Sequence, residues 1–480
     1  MHIHILGIAG TFMGGLAAIA RQAGHRVTGC DANVYPPMSD QLRALGIDFV
    51  EGFSADQLAF KPTLFVVGNV VSRGNLLMEA ILDERRPYTS GPQWLGEHIL
   101  GQRPVLAVAG THGKTTTTAL SAFLLRKALG VDAGYLIGGV AHDFDASGWL
   151  GDPAQPFVIE AEEYDTAFFD KRSKFLHYRP TVAVLNNLEF DHADIFADLA
   201  AIEWQFHQLL RTMSSRSVLV LGAAPHGSEA LERVLARGCW SSLRRFGSPG
   251  EGLWAKGLST SGEGQRFALM EGTEALGETS LALGGAHNLH NALAALTAVR
   301  VLGLEPRDAL EALGAFAGVR RRLELRGCVH GVRVYDDFAH HPTAIEASIG
   351  ALRAAGSTRI FAVVEPRSNT MKLGTMAARL PASLREADRV YCYSGALGWD
   401  VAAALAPLGD KAQVHAEVAG LVSAVVAQAQ AGDRILVMSN GAFGGIHERL
   451  LRALADLPGA SPACGVTSIG LATAPPAPTS

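Results

Sequence analysis

The fold is decided by the stretch VLAVAGTHGKTT, residues 105–116, in which an apolar run is followed by a glycine turn and then by Lys114 and Thr115. The first five residues are typical of a buried strand, and the residues after the turn begin a helical pattern. At such a helix start, backbone N–H groups bind phosphate oxygens, the lysine reaches the terminal phosphates, and the hydroxyl ligates Mg²⁺. The stretch predicts an ATP-binding α/β domain, although Val108 replaces the first glycine of the usual phosphate-loop pattern.

Strand and helix patterns alternate on both sides of this stretch, which favours mostly parallel sheets covered by helices. A chain of 480 residues has room for about three such domains. We expect a Rossmann-like domain at 1–103, a central phosphate-loop α/β domain at 104–318 and a C-terminal Rossmann-like α/β domain at 319–457. The tail, 458–480, is rich in Ala, Pro, Ser and Thr and is expected to be disordered.

Composition excludes several classes of protein. With 48% hydrophobic and 18% charged residues the chain can bury sizeable cores, and its net charge of −5 disfavours a nucleic-acid-coating role. A run of about 18 apolar residues is missing, so neither a membrane span nor membrane association is expected. The N-terminus lacks the basic flank of a secretory signal, and the five cysteines show no zinc-like spacing. We therefore expect a cytoplasmic protein.

Two acidic segments follow predicted strands of the central domain. Residues 160–165 (EAEEYD) end the strand pattern that begins at Phe157, and residues 186–192 (NNLEFDH) follow the next one. Ligands of open α/β sheets bind at the carboxyl ends of strands, and phosphoryl transfer needs a metal ion held near the phosphates. These positions favour functional roles for Glu160 and His192. For Glu162 and Glu163 taken singly, a solvated acidic turn is the favoured interpretation.

A second glycine-rich turn lies at the N-terminus, in LGIAGTFMGGL, residues 6–16. It is similar to a dinucleotide-binding turn but has Ala9 and Phe12 where that pattern has glycines, while Asp31 ends the next strand as a ribose-binding acid would. An NAD-dependent oxidoreductase fused to an NTPase is therefore a remote alternative. A catalytically silent nucleotide sensor is another.

Five motifs, taken together, resemble the Mur ligases, which are ATP-dependent amide-forming enzymes of peptidoglycan synthesis. They occur in the family's order and are GTHGKTT (110–116), EAEE (160–163), EFDH (189–192), HNLHN (287–291) and DDFAHHP (336–342). The resemblance covers residues 1 to about 457. It implies three domains, which bind a UDP-sugar, ATP and the incoming amine.

Further segments resemble one branch of that family, which acts in peptidoglycan recycling and joins the tripeptide L-Ala-γ-D-Glu-meso-diaminopimelate to UDP-N-acetylmuramate. They are VVSRGN (70–75), GPQWL (91–95), FFDKRS (168–173) and EPRSNT (365–370). The alternative is the branch that adds L-alanine to the same nucleotide sugar. The resemblance implies that ATP first phosphorylates the lactyl carboxylate, with Mg²⁺ as cofactor, and that the amine attacks the acyl phosphate. It implies no obligatory protein partner.

Site residues are carried over by motif. Lys114, Glu160, His192 and Arg322 would be catalytic, and Thr115, Glu160 and His192 would bind metal. The remaining assignments follow as a set. ATP would be bound by Gly110, Thr111, His112, Gly113, Lys114, Thr115, Thr116, His287, Asn291, Arg322, Asp337 and His340; the UDP-sugar by Gly10, Thr11, Phe12, Met13, Asp31 and Ser72; and the peptide by Arg367 and Lys372.

Overall fold

The structure is a computed structural model that describes residues 1–32, 34, 38–223, 226–356, 359–395 and 397–457. The tail 458–480, where disorder was predicted, lies outside the described residues. The chain divides into two compact units, one comprising Met1–Arg320 and the other beginning at Arg321. In the described ranges, no helix is both long and apolar enough to cross a membrane.

The first unit begins with a five-stranded parallel sheet in the order β3-β2-β1-β4-β5. The elements, in chain order, are β1 (His2–Leu6), α1 (Thr11–Gln22), β2 (Arg26–Asp31), α2 (Met38–Ala44), β3 (Asp48–Glu51), β4 (Leu64–Val67), α3 (Leu76–Asp83), β5 (Tyr88–Ser90) and α4 (Gly91–Leu95). The turn between β1 and α1 lies at the carboxyl edge of this sheet, where a parallel sheet binds ligands.

The same unit contains a seven-stranded sheet in the order β14-β13-β12-β6-β9-β7-β8, parallel except for the pairing of β8 with β7. Its strands and helices, with the hairpin β10–β11, are β6 (Val105–Ala109), α5 (Lys114–Lys127), β7 (Gly134–Leu136), β8 (Gly148–Trp149), β9 (Phe157–Glu160), β10 (Asp165–Ala167), β11 (Asp170–Ser173), β12 (Val182–Leu185), α6 (Leu199–Thr212), β13 (Val218–Gly222), α7 (Ser228–Ala236) and β14 (Ser242–Phe246). β6 lies between β12 and β9, so the acidic segments after those two strands flank the phosphate loop.

An antiparallel three-stranded sheet and two helices complete this unit. They are β15 (Leu253–Ser261), β16 (Gly264–Glu271), β17 (Glu274–Leu281), α8 (Ala286–Val301) and α9 (Leu310–Ala315). This sheet was not predicted. Its strands carry many exposed polar residues and two irregularities of register, so they lack the continuous apolar run that marks the buried strands.

The second unit is a six-stranded sheet in the order β18-β19-β23-β20-β21-β22, parallel except for the edge strand β18. Its elements are β18 (Glu324–Val329), β19 (Val332–Asp337), α10 (Pro342–Ala354), β20 (Ile360–Val364), α11 (Asn369–Lys372), α12 (Leu380–Ser383), β21 (Arg389–Tyr393), α13 (Val401–Leu405), β22 (Ala412–His415), α14 (Val418–Gln428), β23 (Arg434–Met438) and α15 (Ile446–Ala455). The predicted fold class, α/β with mostly parallel sheets, is confirmed.

One apolar core in the first unit joins its first and central sheets. Leu16 and Trp94 from the N-terminal part and Phe157, Phe175 and Phe206 from the central part are all buried in it. Burying a large apolar side chain contributes about 1.5–3 kcal/mol, so a shared core of this kind holds the two sheets in a fixed arrangement. The N-terminal sheet and the central sheet therefore belong to one folded unit.

Candidate active site

The phosphate loop connects β6 to α5 and ends at Gly113, whose φ of 80° lies in the left-handed region that favours glycine. Helix α5 begins at Lys114, so its first N–H groups have no intrahelical acceptor and point toward the loop. The Lys114 ammonium donates to the carbonyl of Gly110 at 2.6 Å and contacts Oε2 of Glu163 at 3.4 Å. The loop thus brings a cation and the backbone N–H groups of a helix start together, as an anionic phosphate requires.

Thr115, the second residue of α5, meets the end of β9. Its hydroxyl donates to Oε1 of Glu160 at 2.7 Å, and the other carboxylate oxygen accepts a hydrogen bond from the backbone N–H of Gly138. A side chain at position 138 would collide with the carboxylate, so the close approach depends on glycine there. A hydroxyl and a carboxylate fixed side by side are the kind of oxygen ligands that Mg²⁺ prefers.

Behind the lysine, Glu163 and His192 form a buried charged network with it. Oε1 of Glu163 lies 3.1 Å from Nε2 of His192, and Oε2 faces Lys114. Burial opposes ionisation of Glu163, but Lys114 and His192 outweigh it and lower the pKa of Glu163 to about 2. Burial also opposes the charged forms of Lys114 and His192, yet the surrounding carboxylates, Glu163 foremost, raise both pKa values. The network is therefore charged, and the solvated turn predicted for Glu163 is wrong, since its side chain is 1% exposed.

The middle of the phosphate loop is fixed by the segment after β12. The hydroxyl of Thr111 donates to the carbonyl of Glu189 at 3.2 Å, and the N–H of His112 donates to Oδ1 of Asn187 at 2.8 Å. The His112 ring also lies 3.0 Å from a carboxylate oxygen of Glu189. Both strands that flank β6 thus hold the loop in place.

On the other side, α8 contacts the first turns of α5. Oδ1 of Asn291 accepts a hydrogen bond from the Thr117 hydroxyl at 3.2 Å and lies where a side chain at Gly113 would have to fit. The side-chain nitrogen of Asn288 donates to the carbonyl of Gly284 at 2.8 Å, which fastens the start of α8 to the residues before it. In this arrangement Asn291 supports the loop, and its predicted contact with adenine, together with that of His287, stays a prediction.

The N-terminal turn places Gly10 immediately before α1, whose first residues are Thr11, Phe12 and Met13. The Asp31 carboxylate accepts hydrogen bonds from the backbone N–H groups of Ala9 at 3.0 Å and Ala32 at 2.8 Å. Asp31 therefore shapes the turn in the described structure. The remaining residue assigned to the UDP-sugar, Ser72, is exposed in the segment between β4 and α3.

In the second unit, Asp337 ends β19 and accepts hydrogen bonds from the N–H groups of Leu323 and Ala339, both at 2.7 Å. Burial raises its pKa, with Arg322 acting in the opposite direction. The Arg322 guanidinium also lies 5.1 Å from the centre of the Phe338 ring, and Nδ1 of His340 lies 2.9 Å from the Phe338 carbonyl oxygen. The three predicted residues Arg322, Asp337 and His340 therefore belong to one local cluster.

Arg367 follows β20 and packs over the backbone of Gly441, in the loop after the neighbouring strand β23. A side chain at position 441 would collide with its guanidinium, so glycine permits this packing. Lys372 lies exposed at the end of α11. An exposed guanidinium at the carboxyl edge of the sheet is placed to bind a carboxylate.

Sequence reasoning missed three contributors to the site. They are Glu163, which bridges Lys114 and His192, Gly138, which admits Glu160, and Lys174, which pairs with Glu162 at 2.6 Å. The acidic segment itself was a signal for Glu163, but only burial shows which of its carboxylates faces Lys114. Gly138 and Lys174 carry no local motif.

Comparisons with known proteins agree with this geometry. The family model described as Mur ligase family, catalytic domain, matches residues 2–103; the Mur ligase middle domain matches 108–299; and the Mur ligase, glutamate ligase domain, matches 321–441. Together these matches cover most of the described chain.

Individual relatives extend the likeness. The chain is 51% identical over 95% of its length, and 98% of the relative's, to the UDP-N-acetylmuramate–L-alanyl-γ-D-glutamyl-meso-2,6-diaminoheptandioate ligase of Escherichia coli K12. Its sequence is 43% identical to that of a murein peptide ligase from Psychrobacter arcticus 273-4 whose crystal structure is known. The two structures match with a TM-score of 0.72 over 95% of this chain and 99% of the other. To the UDP-N-acetylmuramate–L-alanine ligase of Streptomyces avermitilis it is 34% identical over 94% and 97% of the chains. The chain belongs to the Mur ligase family.

Proposed function

We propose that this Mur ligase joins L-Ala-γ-D-Glu-meso-diaminopimelate to the lactyl carboxylate of UDP-N-acetylmuramate, with conversion of ATP to ADP and phosphate. The observation that carries the proposal is the 51% identity to the E. coli tripeptide ligase over nearly the whole of both chains, against 34% for an L-alanine ligase. The phosphate loop and the carboxylates around it are suited to the transfer of a phosphoryl group from ATP, which this reaction requires. The alternative function is addition of L-alanine to the same nucleotide sugar.

The first step that this proposal requires is transfer of the γ-phosphoryl group of ATP to the lactyl carboxylate. A carboxylate oxygen attacks phosphorus, the bond to ADP breaks, and an acyl phosphate forms. Positioning and charge neutralisation are the main contributions of a protein to such a transfer. We propose that Lys114 and the N–H groups from Gly110 to Thr116 hold the terminal phosphates, and that Arg322, Asp337 and His340 bind ATP from the second unit.

In the second step the amino group of the peptide attacks the carbonyl carbon of the acyl phosphate. A tetrahedral intermediate forms and collapses with release of phosphate, and the amine loses a proton. His192 is the candidate acceptor for that proton, because it lies beside the phosphate loop. Its contact with Glu163 favours the protonated imidazole, so His192 must give up its own proton before it can act as a base.

Thr115 and Glu160 fit a magnesium ion, because a hydroxyl and a carboxylate lie 2.7 Å apart at the phosphate loop. We propose them as its ligands, with His192 joining only in its neutral form, since a protonated imidazole has no free electron pair on its ring nitrogens. Bound Mg²⁺ supplies neutralisation of the charge that develops on the phosphoryl oxygens. Glu160 is held in position for this by Thr115 and Gly138.

The domain limits 1–103, 104–318 and 319–457 also stay as a proposal, with the UDP-sugar bound by the first. Gly10, Thr11, Phe12 and Met13 present the start of α1 to the diphosphate, with Asp31 toward the uridine and Ser72 near the sugar nucleotide. Backbone donors at a helix start favour an anionic ligand.

The proposal is tested by ADP release from UDP-N-acetylmuramate, ATP and Mg²⁺ with either the tripeptide or L-alanine as acceptor. The nucleotide product is identified by mass. We expect turnover with the tripeptide and at least about 10²-fold lower kcat/KM with L-alanine. L-alanine lacks the glutamyl and diaminopimelyl carboxylates, so the cations proposed for the acceptor site, Arg367 and Lys372, lose their partners. Preference for L-alanine would assign the chain to the alternative, and no turnover with either acceptor would contradict both.

Replacement of Arg367 by leucine tests the acceptor site. We expect the KM for the tripeptide to rise about 10- to 100-fold, since a charged hydrogen bond contributes about 1.5–3 kcal/mol, while the KM values for ATP and UDP-N-acetylmuramate stay within about twofold. The matched control is Arg385→Leu, an exposed arginine on the same unit, which should leave all three constants unchanged. An unaltered tripeptide KM in R367L would remove Arg367 from the acceptor site.

A further inference from the structure

The segment that follows the acidic motif carries a buried lysine for which the reaction described above has no role. The hairpin β10–β11 returns the chain so that the Ser173 hydroxyl donates to the carbonyl of Glu163 at 2.7 Å and the N–H of Lys174 donates to the carbonyl of Tyr164 at 2.9 Å. The next residue, Phe175, is fully buried in the core shared by the two sheets. The backbone of Lys174 is therefore fixed on the acidic motif.

The side chain of Lys174 extends from the central part of the unit to the N-terminal turn. Its ammonium donates to Oε2 of Glu162 at 2.6 Å and lies 5.4 Å from the centre of the Phe12 ring and 5.6 Å from that of Tyr164. Such distances are typical of a cation held over aromatic faces. Only 6% of Lys174 is exposed, which is rare for a lysine outside a binding or paired site.

This position lies between the two loops that the reaction must connect. Phe12 belongs to the first turn of α1, where we place the sugar nucleotide, and the Tyr164 ring lies 4.0 Å from the ring of His192. His192 contacts Glu163, and Glu163 in turn contacts Lys114 in the phosphate loop. The Lys174 ammonium thus lies between the N-terminal turn and the charged network behind the phosphate loop.

The charges around the phosphate loop suggest a role for the Lys174 ammonium. Glu160, Glu162, Glu163 and Asp191 surround the phosphate loop, so an incoming carboxylate is repelled unless a cation receives it. Lys114 is committed to the phosphates in the proposed reaction. Resting on that function, we propose that Lys174 is a substrate-binding residue whose ammonium receives the lactyl carboxylate of UDP-N-acetylmuramate and holds it for phosphorylation.

The competing explanation is that Lys174 merely neutralises Glu162, as in a structural buried ion pair. The double variant Lys174→Met/Glu162→Gln separates the two, because it leaves no uncompensated carboxylate at position 162. If the pair is structural, the double variant regains wild-type ligand binding. If Lys174 receives the substrate, binding stays impaired. Lys171→Met, an exposed lysine of the same hairpin paired with Asp165, is the matched control.

The test is calorimetric titration of the full-length protein, without ATP, with UDP-N-acetylmuramate and with UDP-N-acetylglucosamine, which lacks the lactyl group. For both Lys174→Met and the double variant we expect the Kd of UDP-N-acetylmuramate to rise at least about 10-fold, which corresponds to 1.4 kcal/mol, while that of UDP-N-acetylglucosamine changes less than about twofold. Lys174→Arg should keep part of the affinity, and thermal unfolding reports whether each variant is folded.

Three results would overturn the inference. Restored binding in the double variant would make Lys174 structural. Equal losses for both nucleotide sugars would place the ammonium at the diphosphate and not at the carboxylate. Unchanged binding in all variants would separate Lys174 from the substrate altogether. Each of these leaves turnover by the wild-type protein intact, whereas failure of the wild-type protein to bind or convert UDP-N-acetylmuramate would contradict the proposed function itself.

Discussion

Replacing Lys114 by methionine is expected to lower kcat/KM for ATP-dependent ligation about 10³-fold. The ammonium lies at the start of α5, where it meets the phosphate loop at Gly110, and it is the cation that we assign to the terminal phosphates of ATP. Removal of one preorganised donor to a developing charge typically costs about 10²–10³ in rate, and here a full positive charge is lost with it. ADP release with saturating UDP-N-acetylmuramate and tripeptide measures the effect.

The same change also alters the network behind the loop. Glu163 loses a cation that lowers its pKa, so the pKa of its carboxyl should move back toward the ordinary range. Lys127→Met, at the exposed end of the same helix, is the matched control and should keep wild-type turnover. If Lys114→Met retained more than about a tenth of the activity while the control behaved normally, Lys114 would not be the phosphate ligand. Circular dichroism and thermal unfolding verify that both variants are folded.

The sequence predicts those features of the site that depend on short, continuous stretches of the chain. The strand β6 has the predicted bounds, Val105–Ala109, and the helix predicted after the glycine turn begins at Lys114. β9 begins at Phe157 and β12 ends directly before the polar segment 186–192, as the sequence predicts, because each strand is an apolar run followed by polar residues. The parallel order then brings the ends of β9 and β12 to the two sides of the phosphate loop. Local pattern and the rules of parallel sheets suffice for that much.

Features that depend on burial were not predictable in the same way. Glu160 and Glu163 belong to one acidic segment, and nothing in their spacing distinguishes a carboxylate that faces Lys114 from one that faces water. Lys174 lies outside every motif, and only the shared core brings its side chain to Phe12. Charge and exposure of such groups are properties of the tertiary structure. The antiparallel strands β15–β17 were not predicted for a related reason, because their many polar residues interrupt the apolar pattern typical of a strand.

Replacing Glu160 by glutamine is expected to lower kcat about 10²-fold and to raise the Mg²⁺ concentration for half-maximal rate about 10-fold. The amide keeps the shape of the side chain. Its oxygen can still accept from the N–H of Gly138, and its nitrogen can donate to the Thr115 hydroxyl, so the local hydrogen bonds are conserved. What is lost is the negative charge, and a charged carboxylate binds Mg²⁺ far more strongly than an amide oxygen does.

The Mg²⁺ titration distinguishes this role from a purely structural one. If Glu160 only fastens α5 to the strand that precedes Gly138, Glu160→Gln should lower the thermal unfolding temperature while the Mg²⁺ dependence of the rate stays that of the wild type. If Glu160 is a ligand, the stability stays close to wild type, and part of the lost rate returns at high Mg²⁺. Glu278→Gln, an exposed glutamate on β17, controls for the loss of one charge from the same unit. Adding Mg²⁺ to the ADP complex should raise the thermal unfolding temperature of the wild-type protein. In Glu160→Gln this additional rise should be smaller, because the variant binds Mg²⁺ more weakly.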